Sequence, residues 1–455
     1  MRESTVLSRS YMAACFLCLL APTTQAQWDP FNGDWGKEDP RDLRVMTWNV
    51  QDGISSSNDK DDNFGDWNGL VRIVASLRPD VLILQECADN SGNGTGSGSD
   101  SVATLEIVFD LFFNGGNDPF NGGEVGSYVN RFVPDFDMPY VFVSTNSDGF
   151  NRNVIVSRYP FADINGGGAT LSNFVILPDA YQNGGNGGIR GFQFAEIDLP
   201  DDLYAGDLVV GNAHLKAGGS SSDFEQREIA ALNTAYFVDY YYNGAGLGIS
   251  DPNSRVVVPP VGEVLGEHTP VIWGGDLNQN PGFSAPNAIL TQAEFPGGTD
   301  GTDRDRTDAA FSTASHPISG DTSTQGSSSR LDYILWQDSI AQVRRQFIFR
   351  STGSGMTVDR LPFPASTFPS NPMSISSIAS DHRPVVVDFI LPPAASDPCP
   401  SPPDLVDDDI LNFFDVSAFL TAFNNTDPIA DVNGDGNFDF FDISGFLSAF
   451  NAGCP

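Results

Sequence analysis

The sequence has 455 residues, of which 40 % are hydrophobic and 11 % aromatic. This length predicts two or three domains, and the composition supports a sizeable core, which excludes a wholly disordered chain. The 59 acidic and 23 basic residues give a net charge of −36. This charge excludes a protein that holds nucleic acid on a broad cationic surface, because such binding needs many clustered Lys and Arg side chains.

Residues 1–26 have the pattern of a secretory signal peptide. Arg2 and Arg9 precede an apolar run over residues 11–21, and Ala26 provides a small residue at the expected cleavage position. That run is too short to cross a bilayer, and no later stretch reaches 18 apolar residues. We therefore expect a secreted or cell-surface protein without a transmembrane span, in which residues 27–41 form a short N-terminal segment.

Residues 42–391 alternate short β-rich runs with loops rich in Gly, Asn and Ser. Many runs are almost continuously apolar, as expected for strands buried on both faces. The runs cover residues 43–50, 81–86, 140–144, 153–157, 193–199, 208–214, 271–276, 331–336 and 385–390. Helices are predicted at residues 67–77 and 224–240. Strands with interspersed helices predict an α/β sandwich.

One stretch inside this region, residues 88–127, is rich in Gly, Asn and Ser and is interpreted as a surface insertion. Two interpretations stay open for it, a tolerated loop or a flap that shapes a substrate cleft.

A different composition begins at residue 392. Residues 392–403 form a Pro-rich linker, and residues 404–455 contain a repeat with a spacing of 27 residues. Each copy ends in an apolar stripe with helical spacing, so the two helices are expected to bury these stripes against each other. Cys399 and Cys454 bracket this module and are a possible disulfide in an oxidising compartment. Cys87 follows an apolar run and is interpreted as a buried, unreactive thiol.

The second copy of the repeat has the spacing of an EF-hand calcium loop. Gly436 stands where the loop must turn sharply. The oxygen-bearing residues are Asp431, Asn433, Asp435, Asn437, Asp439 and Asp442. The first copy retains Asp404, Asp408, Asn412 and Asp415. It has Val406 and Asp409 at a ligand position and at the turn, so its Ca²⁺ binding is expected to be weak or distorted. The pair resembles type I dockerin repeats, which implies calcium-dependent folding and attachment to a cohesin-like or cell-surface partner.

Five short polar segments end apolar runs in the large region, where strand ends present side chains to a cleft. They are residues 47–49, 84–86, 211–216, 274–278 and 380–384. Together they supply carboxylates for a hard divalent cation, two imidazoles and several Asn amides. Hydrolysis of a phosphodiester needs this combination, since charge must be offset while water is deprotonated.

In this order the segments resemble the endonuclease/exonuclease/phosphatase superfamily, to which DNase I belongs. Residues 152–160 and 330–334 are similar to two further strands of that superfamily. The resemblance covers about 350 residues. It implies a four-layered α/β sandwich, in which two packed, mainly antiparallel sheets are flanked by helices, followed here by the small α-helical calcium-loop module.

The resemblance also implies roles for individual residues. Glu86 would be the principal ligand of Mg²⁺ or Mn²⁺, with Asn49 and Asp381 beside it. His382 would be the general base, oriented by Asp332. The remaining catalytic set comprises Asp276 and Asn278, which would position the nucleophile and the phosphate, and His214, which would donate to the phosphate or leaving oxygen.

A third group is expected to contact the substrate through amides or positive charge. It comprises Asn153, Asn212, Arg152 and Lys216. With Arg330 and Arg383, the two basic residues of this group either form a local positive patch around one phosphate or pair with surplus carboxylates at the rim. His268 and His316 match no motif and are expected in surface loops.

Three functions follow from these observations. The first is a secreted, metal-dependent phosphodiesterase, a sequence-tolerant extracellular endonuclease that acts on DNA or RNA. The second is another hydrolase of the same superfamily, acting on phospholipid head groups (sphingomyelinase-like) or small phosphoesters. A lipid substrate predicts exposed apolar loops, for which the Phe-rich residues 107–113 are candidates. The third is a non-catalytic binding or adhesion protein. The oligomeric state stays open.

Overall fold

The computed structural model describes residues 28–55, 60, 65–87, 100–147, 149, 151–162, 192–237, 265–280, 309–394, 403–406, 411–434 and 436–452. The predicted signal peptide, Asp435, Cys399 and Cys454 lie outside these residues, and so does most of the predicted linker.

The described residues form two large sheets and several helices. The strands are β1 (Trp28–Asp29), β2 (Asp34–Trp35), β3 (Leu43–Asn49), β4 (Val81–Gln85), β5 (Gly116–Asn117), β6 (Glu124–Val125), β7 (Tyr140–Val143), β8 (Val154–Ser157), β9 (Gln193–Ile197), β10 (Leu208–His214), β11 (Val271–Asp276), β12 (Ala309–Phe311), β13 (Asp332–Gln337), β14 (Gln342–Ile348) and β15 (Val385–Ile390). The α-helices are α1 (Asp66–Leu77), α2 (Val102–Asn114), α3 (Val129–Phe132), α4 (Ser221–Phe237), α5 (Ile375–Ala379), α6 (Phe413–Asn424) and α7 (Phe440–Ala452).

The larger sheet has six strands in the order β14-β15-β3-β4-β8-β7, and the smaller has five in the order β12-β13-β11-β10-β9. In each sheet one neighbouring pair is parallel, β3 with β4 and β10 with β11, and the other pairs are antiparallel. This confirms an α/β fold with two mainly antiparallel sheets. All nine predicted strands are present, with ends that differ by no more than two residues.

The two sheets pack face to face through alternate side chains of their strands, as the two-residue period of a β-strand requires. The larger sheet contributes Val45, Ile83 and Val387 to this layer, and the smaller contributes Val210 and Ile272. These five side chains are fully buried.

Helices cover the other face of the six-stranded sheet. Apolar residues of α1, α2 and α5 pack there in one cluster with Met46 and Leu82. Helices α1 and α5 approach closely at Gly69, where an added Cβ would lie 2.9 Å from the Cβ of Ala379. A helical layer on the five-stranded sheet, the fourth layer of the predicted sandwich, stays a prediction.

Residues 100–127 contain more regular structure than the predicted surface insertion. Helix α2 spans Val102–Asn114 and begins at Ser101, whose hydroxyl accepts a hydrogen bond of 3.0 Å from the Thr104 backbone amide. Phe109, Phe112 and Phe113 are buried on it, while Ile107 is 44 % exposed. Residues 107–113 are therefore not the exposed apolar loop that a lipid substrate would need, because three of their Phe side chains are buried.

In the C-terminal module α6 and α7 bury their apolar stripes against each other, as the 27-residue repeat predicts. Phe419 and Phe446, which are 27 residues apart, stack with ring centroids 4.1 Å apart and an angle of 6° between the planes. They form a small core with Ala430. No helix in the described part of the chain combines the length and the apolar character needed to cross a bilayer.

Candidate active site

The polar strand ends meet at one end of the sandwich. Strand pairing places Asn49 beside Gln85 in one sheet, and places His214, Asp276 and Asp332 in one row of the other. The rows face each other, because the Asn49 side-chain amide donates a hydrogen bond of 3.1 Å to the carboxylate of Asp276. The sequence prediction that these segments converge is thus confirmed for the described residues.

Asp276 lies at the centre of the cluster. Its Oδ2 is 3.5 Å from Nε2 of His214 and 3.7 Å from Nε2 of His382. Its Oδ1 accepts a hydrogen bond of 2.9 Å from the backbone amide of Asn278. The carboxylate is 1 % exposed, so its neighbours are held at fixed positions around it.

His382 is oriented by Asp332. Nδ1 of the ring lies 2.9 and 3.1 Å from the two Asp332 carboxylate oxygens. A carboxylate only accepts hydrogen bonds, so Nδ1 carries the proton and Nε2 faces Asp276. The backbone is fixed on both sides of the ring, since Trp48 donates to the His382 carbonyl and the Ser380 hydroxyl accepts from the His382 amide.

Two carboxylates of the cluster, Asp276 and Asp332, are buried, and burial disfavours their charged forms. Burial and the neighbouring Asp332 carboxylate raise the pKa of Asp276 to about 7. Burial lowers the pKa of His382, but the carboxylates of Asp332, Asp276 and Asp381 outweigh burial and raise it to about 10. A cation at this site would offset the carboxylate field and bring the pKa of His382 down.

Glu86 reaches the cluster from a strained backbone position. It follows β4 with φ of +58°, in the left-handed region that few non-glycine residues adopt. Its carbonyl accepts a hydrogen bond from the Asp52 amide, and its Oε1 lies 3.6 Å from Nε2 of His214. The unusual backbone conformation therefore occurs at the residue whose carboxylate contacts the imidazole.

The donor set suits a hard divalent cation. Asp276, Asp332 and His382 offer ligand atoms within 4.8 Å of one another. The Glu86 carboxylate lies 3.6 Å from His214 Nε2, the same ring nitrogen that faces Asp276. Carboxylate and amide oxygens are the ligands that Mg²⁺ and Mn²⁺ prefer. The excess of buried carboxylates gives such an ion a favourable electrostatic environment.

Gln51 connects two predicted metal ligands, and sequence reasoning missed it. Its backbone amide donates to Oδ1 of Asn49, and its Oε1 accepts from the backbone amide of Asp381 at 2.9 Å. Ser380 adds a hydrogen bond of 2.7 Å to the Asn49 carbonyl. Gln51 thereby holds exposed Asp381 next to the end of β3. A polar residue two positions after a strand end gives no distinct sequence signal.

Comparison with known proteins agrees with this geometry. The family model described as the Endonuclease/Exonuclease/phosphatase family matches residues 46–382. The chain belongs to this family. The family consists of phosphoesterases, which typically depend on divalent metals. No curated protein matches the chain in sequence.

Three solved structures are similar to the chain at low identity. An endonuclease/exonuclease/phosphatase from Beutenbergia cavernae is 18 % identical, with 77 % of this chain and 72 % of that chain covered and a TM-score of 0.42. Sphingomyelinase C from Streptomyces griseocarneus is 14 % identical, with 76 % and 99 % covered and a TM-score of 0.40. TDP2 from D. rerio, complexed with a single-strand DNA product, is 13 % identical, with 77 % and 100 % covered and a TM-score of 0.39.

Asn212 does not face the candidate active site of this chain. This corrects the expectation that it contacts phosphate. It is fully buried between the sheets. Its amide nitrogen donates to the carbonyls of Leu84 and Val154 and to the side-chain oxygen of Gln193, while its oxygen accepts from Gln85 at 2.9 Å. Both the nitrogen and the oxygen of its amide are thus engaged between the two sheets.

Arg152 is likewise occupied by backbone carbonyls. Its guanidinium donates to the carbonyls of Asp100, Ser144 and Thr145, at 2.7, 2.9 and 2.9 Å. Its expected role at a phosphate is therefore not supported, because its donors fix the loop before β8. Asn153, the next residue, is fully buried.

The other cations near the site are also engaged within the protein. Lys216 donates to the carbonyl of Ala217 and lies 3.3 Å from the Asp223 carboxylate. Arg330 donates to the carbonyls of Thr322 and Ala314. Arg383 donates to the Ser323 carbonyl and hydroxyl and to the Gly326 carbonyl. Lys216 thus pairs with a carboxylate, which is one of the two expected arrangements, whereas Arg330 and Arg383 donate to loop carbonyls instead.

Asn278, placed among the catalytic residues by the resemblance, follows Asp276 with φ of +53°. Its side-chain amide donates to the Leu215 carbonyl at 3.0 Å, so the loops after β10 and β11 are joined beside the cluster.

Two histidines outside the cluster differ in burial. His268 is exposed, as expected, and lies 3.5 Å from the Glu267 carboxylate. His316 is 1 % exposed, so its expected surface position is wrong. Its Nε2 lies 3.0 Å from the Arg350 carbonyl, and its Nδ1 accepts from the Ser319 amide.

Cys87 is buried, as expected, and burial raises the pKa of its thiol well above the usual value.

The repeated acidic residues of the C-terminal module occupy equivalent positions in the two copies. Asp415 accepts backbone hydrogen bonds from Leu405, Val406 and Asn412. Asp442, 27 residues later, accepts them from Asn433 and Asp439. Asp431 accepts from the Gly436 amide at 2.9 Å. Ca²⁺ binding by this module stays a prediction.

Proposed function

We propose that this chain is a secreted, divalent-metal-dependent phosphodiesterase that cleaves nucleic acid without strong sequence preference. The observation that carries the proposal is the His382–Asp332 pair, whose free ring nitrogen faces Asp276 and lies in one cluster with Glu86 and His214. A base, carboxylates and a second imidazole at one buried point are the groups that phosphoester hydrolysis needs.

His382 would accept the proton of the attacking water through Nε2. Asp332 keeps the other nitrogen protonated and stabilises the imidazolium that forms. Asp276, fixed by Asn49 and the Asn278 amide, would hold the water at Nε2. His214, 3.5 Å from the same carboxylate, would donate a hydrogen bond to a phosphate oxygen.

Glu86 and Asn49, with Asp381 near them, would hold Mg²⁺ or Mn²⁺. Such an ion offsets phosphate charge and polarises the P–O bond. The protein itself would hold these three ligand residues in position. The left-handed backbone of Glu86 and the hydrogen bonds that join Gln51 to Asn49 and Asp381 support this.

One observation disfavours a lipid substrate. Helix α2 buries Phe109, Phe112 and Phe113, so residues 107–113 are not the exposed apolar loop for which they were a candidate. The described arginines near the site donate to loop carbonyls. Contact would then be restricted to the phosphate being cleaved, which fits sequence-tolerant cleavage. A purely adhesive role would leave the buried His382–Asp332 pair without a purpose.

For localisation we propose export through the signal peptide. The tail would then attach the enzyme to a cohesin-like or cell-surface partner in a Ca²⁺-dependent manner. Support comes from the sequence of residues 1–26 and from the matched helices of the repeat.

The test is a substrate panel. Purified protein with Mg²⁺ is assayed on supercoiled plasmid DNA, single-stranded RNA, sphingomyelin and inositol phosphates. Glu86→Ala and His382→Ala serve as controls for contaminating activity, and each should lower turnover at least ~10²-fold. We expect nicking and linearisation of plasmid that stops with chelator. Turnover of lipid or inositol phosphate without nucleic-acid cleavage would reject the nuclease.

A further inference from the structure

A cavity lies at the end of the six-stranded sheet that is opposite the catalytic cluster. Its volume is about 620 Å³, and its lining includes Arg44 near the start of β3, Arg78 after α1 and Arg158 after β8. Asn49 of the catalytic cluster is five residues further along β3 than Arg44, which is roughly 17 Å at 3.3 Å per residue. The cavity is therefore separate from the catalytic cluster.

Three of the four cations that line the cavity form ion pairs with two buried carboxylates, Asp80 and Asp388. Buried Asp80 binds Lys37 at 2.5 Å and Arg158 at 2.7 Å. Buried Asp388 binds Arg44 through two hydrogen bonds, at 2.6 and 2.8 Å. These three cations therefore already have partners within the protein.

The fourth cation is Arg78, whose backbone amide donates to the Val74 carbonyl. Its side chain makes no hydrogen bond or ion pair with any residue that the structure describes. Arg78 ends α1 with φ of +49°, a left-handed conformation that usually belongs to Gly or Asn at this position. This conformation is unfavourable for any residue that has a Cβ atom. Packing does not explain an exposed arginine here, whereas a requirement for a cation at the cavity does.

Aromatic rings form the other wall. Phe132, Phe136 and Phe363 line the cavity, and Phe363 at its rim is 57 % exposed. The Arg158 guanidinium lies 5.7 Å from the centre of the Phe136 ring. Apolar walls with a few convergent polar groups are typical of small-molecule sites. One free cation beside aromatic surface selects an anion with a flat apolar body.

We propose that this cavity binds a small aromatic carboxylate, with the carboxylate at Arg78 and the ring among Phe132, Phe136 and Phe363. Asp135, an exposed carboxylate on the same wall, opposes the anion and weakens binding. The site is independent of the proposed nuclease activity, because it shares no residue with the catalytic cluster.

The test uses the full chain and 4-fluorobenzoate, whose binding is followed by ¹⁹F NMR titration. We expect a saturable shift in the parent protein. The dissociation constant should rise at least tenfold in Arg78→Gln and fall severalfold in Asp135→Asn. Arg131→Gln, which removes a nearby arginine outside the cavity, is the matched control and should bind like the parent. The neutral 4-fluorobenzyl alcohol, added at the same concentration as 4-fluorobenzoate, should not displace it from the cavity.

Two results would overturn the proposal. One is the absence of a saturable shift in the parent. The other is equal affinity of Arg78→Gln and Arg131→Gln, which would place the anion elsewhere. The Arg78 side chain is exposed, so the variant is expected to fold, and an unchanged melting temperature checks this.

Discussion

Asp332 stabilises one particular state of His382, and an isosteric substitution isolates that effect. Asp332→Asn retains the volume but presents an amide that can donate to Nδ1. The proton would then move to Nε2, where the base must be free. We expect kcat to fall by about 10²–10⁴-fold with little change in KM, because base catalysis is lost while binding is retained.

The matched control is Asp338→Asn, which removes an exposed carboxylate just beyond the end of the same strand. Steady-state rates of the two variants on the cleaved substrate are compared with the parent. Equal rates for Asp332→Asn and Asp338→Asn would show that His382 does not depend on this carboxylate.

His316 is expected to make the stability of the protein pH-dependent. Burial lowers its pKa from 6.5 to about 4, so the unfolded chain binds a proton at a pH where the folded chain does not. The free energy of unfolding should therefore fall as the pH decreases from about 6.5 to 4, by about 3 kcal/mol, and then level off.

Urea unfolding between pH 7.5 and 4 measures this dependence. His316→Gln should flatten it, while His268→Gln, at an exposed histidine, should leave the slope as in the parent. Parallel slopes for the parent and His316→Gln would assign the pH dependence to other groups.

At the scale of elements, α5 determines where His382 stands. The helix ends at Ala379, and Ser380, Asp381 and His382 follow directly. Its position depends on the close approach to α1 at Gly69. Interiors are densely packed, so a methyl group there must displace one helix.

Gly69→Ala is thus predicted to lower both stability and activity. The inserted methyl group should reduce the free energy of unfolding by about 1–3 kcal/mol, and displacement of α5 should reduce kcat at temperatures where the chain is still folded. Gly219→Ala is the matched control, since an added Cβ there meets no atom within 4 Å. Urea denaturation measures the free energy of unfolding, and initial rates give kcat. A full kcat in Gly69→Ala would mean that this packing does not position His382.

Sequence patterns were sufficient to predict the strands whose residues are all buried. Strands β3, β4 and β11 are buried along their whole length, so their apolar runs were sufficient. Edge strand β14 was missed because four of its seven residues are polar and only the last two are buried. Helix α2 was missed because Gly- and Asn-rich flanks dominate the composition around it.

The site was predictable to the extent that it depends on strand ends. His214 and Asn212 lie on the same face of β10, two residues apart. The sequence therefore could not separate the residue in the cluster from the one some 6–7 Å deeper between the sheets. Nor could it anticipate that Arg152 binds three carbonyls, because those partners come from a long-range arrangement of loops.

For the whole molecule, the structure refines where the catalytic domain ends. The Pro392 carbonyl accepts a hydrogen bond from the Ala205 amide, and the Ala394 amide donates to the Leu203 carbonyl at 3.1 Å. Pro393 lies between them in a bridge with Tyr204. Residues 392–394, predicted as the start of the linker, are thus bonded to the same loop that follows β9.

A truncation should therefore be made after Ala394. Deletion of residues 395–455 is predicted to leave kcat and KM on soluble substrate unchanged, because the residues proposed to be catalytic lie between Asn49 and His382. Deletion from residue 392 removes the two hydrogen bonds as well and should lower the melting temperature. Calorimetry and initial rates on both truncations test this. If loss of residues 395–455 alone abolished turnover of a soluble substrate, the tail would have to contribute to the active site, contrary to a role in attachment.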